Sequence, residues 1–362
     1  MTHVVANDGT SRKLVEPARR AGDPDSGQRA QISESPYCPP LWLRSPHMQS
    51  LLGTSPLRRA RGAWLLRRTG AVSEPHVIDG GEGVRLHGMH SRVPGREARG
   101  LALLLHGWEG SIESSYMRLT ATRLLQAGFD VFRLNFRDHG DTHHLNEALF
   151  HSNRIGEVVN AAVDVERRFA QGRPMVVAGY SLGGNFALRV AMRAPDAGLA
   201  LARVAAVCPV LDPAVTIVEL ERGLPVYMRY FEESWRDSLR RKRAAFPERY
   251  DFDDRILQLR MRDLTRWLVE RHTDFDSLDD YFDGYAVAGD RLAALTVPAD
   301  ILTAEDDPVI PVAQFRSLRL APETRVEIAR WGGHCGFLES MSLDGYAERW
   351  ATARLSAALP PG

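Results

Sequence analysis

A short apolar run, residues 175–178, passes directly into Gly179-Tyr180-Ser181-Leu182-Gly183-Gly184 and then into a helical pattern that continues through Arg193. A serine held between glycines at a strand-to-helix junction implies a sharp turn. Such a turn crowds its flanking positions, and residues without a Cβ relieve that crowding. By composition alone a G-x-S-x-G match arises in roughly one such chain in ten, so the placement carries the meaning. The turn would lift the Ser181 hydroxyl off the C-terminal edge of a sheet. The following helix would aim backbone N–H groups, Leu182's among them, at an oxyanion forming beside it.

The chain around this turn alternates strands and helices. Strand patterns cover 101–105, 129–136, 204–208, 299–303 and 325–328, and helical periodicity covers 115–127, 155–169 and 347–359. This alternation predicts a mostly parallel central sheet flanked by helices. Upstream, 64–68 and 84–89 read as early antiparallel strands, with Gly80, Gly81 and Gly83 marking the turn between them. Residues 36–52, with Pro39, Pro40 and Pro46 among Trp42, Leu43 and Leu51, read as an irregular, partly buried segment. Residues 1–35 are polar and mixed in charge, the composition of a disordered tail. The stretch from about 212 to 291 is charged, aromatic and helical in pattern, broken by Pro213, Pro225 and Pro247. An insertion of that length between strands is expected to be a lid.

A serine hydroxyl becomes a nucleophile when a base takes its proton and a carboxylate orients that base. In a strand-borne elbow of this kind the chain order is Ser, acid, His. His334, in Trp331-Gly332-Gly333-His334-Cys335-Gly336-Phe337, is the only histidine beyond the insertion. The acid should follow the strand at 299–303, in Glu305-Asp306-Asp307-Pro308-Val309-Ile310-Pro311. Asp307 is favoured because Pro311 stands four residues after it, and Asp306 is the alternative. The second oxyanion donor is expected from His106-Gly107-Trp108-Glu109-Gly110, as the N–H of Trp108, with Gly107 giving room. His106 precedes Ser181 in the chain and reads as structural.

With these residues in place the chain resembles the YheT/EMB8-like branch of the α/β hydrolases. The matching segments are Pro39-Pro40-Leu41-Trp42-Leu43-Arg44-Ser45-Pro46-His47-Met48-Gln49-Ser50, His106-Gly107-Trp108-Glu109-Gly110-Ser111, Gly179-Tyr180-Ser181-Leu182-Gly183-Gly184-Asn185 and Asp306-Asp307-Pro308. The resemblance implies the α/β-hydrolase fold and a carboxylic ester hydrolase whose triad is matched by Ser181, Asp307 and His334. Relatives are linked to medium-chain esters, acyl transfer to alcohols, or phospholipids. One departure is Asn135-Phe136-Arg137-Asp138-His139-Gly140, where many members carry N-x-R-G-C.

The 46 basic and 46 acidic side chains give no net charge, which argues against a nucleic-acid partner. No apolar run reaches the 18 or so residues of a membrane span. The N-terminus lacks the apolar core of a secretory signal, and three cysteines, Cys38, Cys208 and Cys335, form no disulfide or metal pattern. These features fit a cytoplasmic protein. His139, His143, His144 and His151, with Asp138 and Asp141, invite a zinc reading but lack its usual spacing, and read as a polar loop at the pocket rim. Arg240-Arg241-Lys242-Arg243 reads as the solvated face of a lid helix, with contact to an anionic membrane surface as the alternative. Tyr227, Tyr230, Phe231 and Trp267 are expected either to line the acyl pocket or to form the lid's own core.

The sequence therefore predicts a cofactor-free serine esterase acting on a small ester or lipid through an acyl-enzyme. Its alternatives are an acyltransferase using the same intermediate, although the H-x-x-x-x-D signature is absent after His334, and a non-catalytic scaffold.

Overall fold

The computed structural model of the protein describes residues 31–359. The described chain opens with β1 (Ile32–Glu34), a 3-10 turn at Leu41–Leu43, α1 (Pro46–Gly53) and α2 (Pro56–Arg68). It continues through β2 (Val72–Asp79), β3 (Arg85–Arg92), β4 (Gly100–Leu105), α3 (Ser115–Gln126), β5 (Phe129–Leu134), α4 (Ile155–Val165), β6 (Met175–Tyr180), α5 (Leu182–Arg193) and β7 (Leu201–Val207). Five helices follow: α6 (Pro213–Arg222), α7 (Pro225–Ala245), α8 (Asp254–Leu257), α9 (Met261–His272) and α10 (Leu278–Tyr285). The chain then returns to the sheet with β8 (Ala299–Ala304), α11 (Val312–Arg316), β9 (Thr324–Ala329) and α12 (Tyr346–Ser356).

The nine strands form one sheet in the order β1-β9-β8-β7-β6-β4-β5-β3-β2, parallel except where β3 pairs β2 and β5. This is the expected α/β-hydrolase architecture. Strands β4, β5, β6 and β8 are buried along their whole length, as strands covered on both faces must be. Side chains alternate between the faces. Leu101, Leu103 and Leu105 pack with α4 and α5 residues such as Val158 and Phe186. Ala102 and Leu104 pack with Met117 and Leu124 of α3 and Trp350 and Leu355 of α12. Parallel pairing of β4 with β6 sets Leu105 beside Gly179, so both strands deliver their loops to the same edge.

Three expectations upstream need correction. The tail expected over 1–35 lies outside the described residues as far as position 30, but Ile32–Glu34 is an edge strand pairing parallel with β9. Residues 64–68 are the end of α2, not a strand. A short apolar run does not distinguish a strand from a buried helix. Here Ser55, accepting from the Arg58 N–H, and Pro56 in the first turn start a helix. Its buried residues, Arg58, Gly62 and Leu66, recur every four positions. The strand that pairs β3 through the Gly80–Gly83 turn is β2. The irregular 36–52 segment is largely ordered as the 3-10 turn and α1, with Ser45 capping the helix.

Pro213 and Pro225 do not interrupt helices; each stands in a first turn, where its missing N–H costs nothing. Among the described residues no helix is long and apolar enough to cross a membrane.

Candidate active site

Ser181 occupies the single residue between β6 and α5, with φ 54° and ψ −120°. A non-glycine residue in that region is strained, and here the surroundings over-determine it. The Ser181 N–H donates to Val207 O at 2.9 Å and its carbonyl accepts from Asn185 N–H at 3.1 Å. A Cβ on Gly183 would stand 2.3 Å from Leu105 O, and one on Gly179 would stand 2.1 Å from Gly183 O. Only glycine lets α5 begin this close to the end of β4. The elbow is therefore built from immediate neighbours in sequence and from the adjacent strands.

The His334 imidazole lies between Ser181 and Asp307. Its Nε2 is 2.9 Å from Ser181 Oγ, and its Nδ1 is 2.9 Å and 3.2 Å from the two Asp307 carboxylate oxygens. When the imidazole is neutral, the carboxylate keeps its proton on Nδ1 and leaves Nε2 to accept from the serine hydroxyl. The backbone N–H groups of Val309 and Ile310 donate to Asp307 Oδ1 at 2.8 Å and 3.0 Å and fix its orientation. Burial pulls the imidazole pKa down, but the Asp307 carboxylate and Cys335 outweigh it and hold His334 up at about 9. Of the two candidate acids the structure brings Asp307, not Asp306, to the histidine. Asp306 accepts instead from the Gly333 N–H at 2.9 Å, and burial pushes its carboxyl up to about 6.

The loop after β4 lies against the elbow: a Cβ on Gly107 would come within 3.3 Å of Ser181 Cβ. The N–H groups of Trp108 and Leu182 donate to no protein acceptor among the described residues. His106 is fully buried, with Nδ1 2.7 Å from Gly107 O and Nε2 accepting from Phe136 N–H at 3.2 Å. That pairing holds it neutral, with burial driving its pKa well below the ordinary value. It ties the ends of β4 and β5 together.

The positions of the remaining residues went unread in the sequence. The loop carrying His334 is clamped by α1. Ser50 Oγ accepts from His334 N–H at 2.8 Å and donates to Pro46 O at 2.8 Å. Gln49 is fully buried; its amide donates to Leu43 O at 2.7 Å and Tyr37 Oη at 3.0 Å, and accepts from Leu338 N–H at 2.6 Å. A Cβ on Gly336 would meet Gln49 O at 2.4 Å, so the glycine permits this contact. The available signal was the Pro39–Ser50 segment, which no generic feature of the fold requires.

The basic run in α7 also needs correction, because Lys242 is fully buried while its neighbours are not. Its ammonium donates to Asp138 at 2.8 Å and to His143 O at 3.3 Å. Arg240, Arg241 and Arg243 pair with Asp237, Asp141 and Asp254 at the surface. The missed signal was spacing: Met228, Glu232, Trp235, Leu239 and Lys242 form one buried stripe on α7. Asp138 has φ 58° and stands where the N-x-R-G-C pattern carries glycine. Its ion pair with Lys242 thus ties α7 to the strained loop after β5.

Two cavities meet at Ser181. A cleft of about 350 Å³ is lined by His334, Glu109, His139, His143, Tyr230, Ser234 and others. A smaller pocket of about 110 Å³ is lined largely by apolar groups, including Leu182, Val210, Ile217, Met261 and Phe282. Trp108 and Phe231, stacked with centroids 5.4 Å apart, line both. Of the four aromatics expected either at the pocket or in the lid's own core, Tyr230 and Phe231 reach a cavity. Tyr227 is buried with its hydroxyl 2.9 Å from His47 Nδ1, and Trp267 packs on Phe252 and His272 as core of the helical segment.

Solved structures with the same fold include a thermostable esterase from Pseudomonas putida, 18% identical with a TM-score of 0.55, covering 91% of this chain and 100% of that one. An esterase from Pyrococcus furiosus is 14% identical with a TM-score of 0.52, covering 81% and 93%. A bacterial membrane phospholipase A is 17% identical with a TM-score of 0.53, covering 83% and 91%. No curated protein matches the chain. Residues 102–349, more than half of the sequence, match the model of the alpha/beta hydrolase family, and the chain belongs to that family.

Proposed function

We propose that this α/β hydrolase cleaves carboxylic esters through an acyl-enzyme on Ser181. The observation that carries the reading is the continuous hydrogen-bonded line from Ser181 Oγ through His334 to Asp307. His334 Nε2 takes the hydroxyl proton as Oγ attacks the ester carbonyl. The N–H groups of Trp108 and Leu182 receive the oxyanion. The protonated imidazole then gives its proton to the departing alcohol, and water, deprotonated by the same nitrogen, releases the acid. This route uses no metal or organic cofactor and needs no macromolecular partner. Residues 212–291 serve as a lid supplying much of the apolar pocket. The motifs at Pro39–Ser50 and His106–Ser111 favour the YheT/EMB8-like branch of the family. Three unpaired thiols favour a reducing cytoplasm.

The test is turnover of a nitrophenyl ester series by wild type and Ser181→Ala, with products analysed with and without added alcohol. Wild-type release of free acid that Ser181→Ala loses supports the reading. New esters dominating in the presence of alcohol would reassign the activity to acyl transfer, and equal rates in both proteins would refute it.

A further inference from the structure

The large apolar side chains that stand exposed on the described surface are not scattered. Six of the thirteen, Leu41, Trp42, Met48, Leu51, Leu57 and Trp64, fall within the 24 residues that lead into and form α1 and α2. Single exposed apolar groups need no explanation, but a concentration of them marks a surface that meets something apolar. Leu41 and Leu57 are 78% and 75% exposed, so they protrude instead of lining a groove.

The same segment carries charge of one sign. No aspartate or glutamate stands between Glu34 and Glu74, against six arginines, although the whole chain has no net charge. Two of the six are committed internally: Arg58 is buried on Glu348, and Arg61 pairs with Asp344. Arg44 lies over the Trp331 ring. Arg59, Arg67 and Arg68 are exposed and have no ion pair among the described residues. Helix α2 thus buries Arg58, Gly62 and Leu66 on one face and presents Leu57, Trp64, Arg67 and Arg68 to solvent on the other. An outward face of arginine, leucine and tryptophan suits the plane where lipid headgroups meet acyl chains.

This surface adjoins the mouth of the cleft that holds Ser181. Thr54, at the end of α1, and Arg59 line that cleft, as does the half-exposed Tyr230 across it. The start of α7 adds exposed Leu224 and Val226 and an exposed Arg229 without an ion pair among the described residues. It is joined to α1 by the contact between Tyr227 Oη and His47 Nδ1. The acids at the end of α6 are already matched, Glu219 with Arg222 and Glu221 with Arg262.

We propose that α1 and α2, with the start of α7, dock the enzyme on an anionic lipid surface and turn the Ser181 cleft toward it. Protruding side chains enter a layer of acyl chains without a pocket to receive them, whereas a protein partner would have to supply matching hollows. The unpaired arginines supply the attraction to anionic headgroups. This basic surface is separate from the Arg240–Arg243 run, whose arginines are paired with acids.

The test is flotation of the full chain with vesicles of phosphatidylcholine, with and without phosphatidylglycerol. The wild type should float with the anionic vesicles and far less with the neutral ones, and added salt should weaken binding. Arg67→Gln with Arg68→Gln, and Leu57→Ser with Trp64→Ser, should each lower the affinity by at least about tenfold while the protein stays folded by circular dichroism. Arg240→Gln with Arg243→Gln should leave it unchanged. A wild type that ignores anionic vesicles, or binding that either α2 pair leaves intact, overturns the proposal. So would a dimer in solution that Leu57→Ser with Trp64→Ser breaks, since the face would then belong to a second copy. Flotation does not depend on turnover, so failure of the ester-hydrolase reading leaves this result standing, and the reverse.

Discussion

The elbow that carries Ser181 and the loop that carries His334 sit side by side at one edge of the sheet, yet they are built in opposite ways. The elbow is local. Gly179 and Gly183 admit a tight turn, and the hydrogen bonds that fix it come from Val207, Asn185 and the strands alongside. The histidine loop is held from far away in sequence. Ser50 and Gln49 of α1 reach it across more than 280 residues, and Asp306 and Asp307 approach from the β8 end. A local turn is robust because its geometry is set by the residues that compose it. A clamp made by a distant helix adds stability and positioning together, and losing it should harm both.

Ser181→Ala should lower kcat/KM by at least about 10⁴-fold, with little change in melting temperature, because it removes chemistry and not packing. Lys242→Met acts in the reverse sense. Leaving Asp138 buried without its partner should cost about 3–5 kcal/mol in denaturant unfolding. Asp138→Gly in the same chain should recover most of that loss, since it removes the stranded carboxylate and suits the φ of 58°. A double variant no more stable than Lys242→Met would contradict the account of that loop.

Gln49→Ala tests the distant clamp. It strands the buried Leu338 N–H and should cost about 1–3 kcal/mol. Because the loop orients His334, kcat should fall more than KM rises. An unchanged kcat with reduced stability would make α1 a purely structural brace.

The smallest effect is a displacement of the pH profile. Nε2 acts as a base only when the imidazole is neutral, so activity rises as pH passes upward through the His334 pKa. With Asp307 holding that pKa above 6.5, at about 9, the rise of kcat/KM should lie on the alkaline side of neutrality. Asp307→Asn removes the main raising charge and should move whatever activity remains toward lower pH. A wild-type rise centred at or below 6.5 would contradict this arrangement.

The same contrast explains what the sequence made legible. The sheet, the elbow and the order of Ser181, Asp307 and His334 were readable because they rest on patterns a few residues long: apolar strands, flanking glycines and a proline after the acid. Residues 64–68 misled because three apolar residues followed by two arginines satisfy a strand pattern as well as a helical one, and only the Ser55-Pro56 start separates them. Lys242 was hidden within four consecutive basic residues. Its burial follows from the pitch of α7 and from an aspartate 104 positions away. The functions of Gln49 and Ser50 depend on contacts that no local window contains.

Covalent capture decides whether Ser181 is the nucleophile activated by His334. Incubation with an alkyl fluorophosphonate followed by peptide mass spectrometry should place one adduct on Ser181 in the wild type. Ser181→Ala should take up no label, and His334→Ala should label slowly. Wild-type protein that stays unmodified, or an adduct that persists in Ser181→Ala, would contradict it.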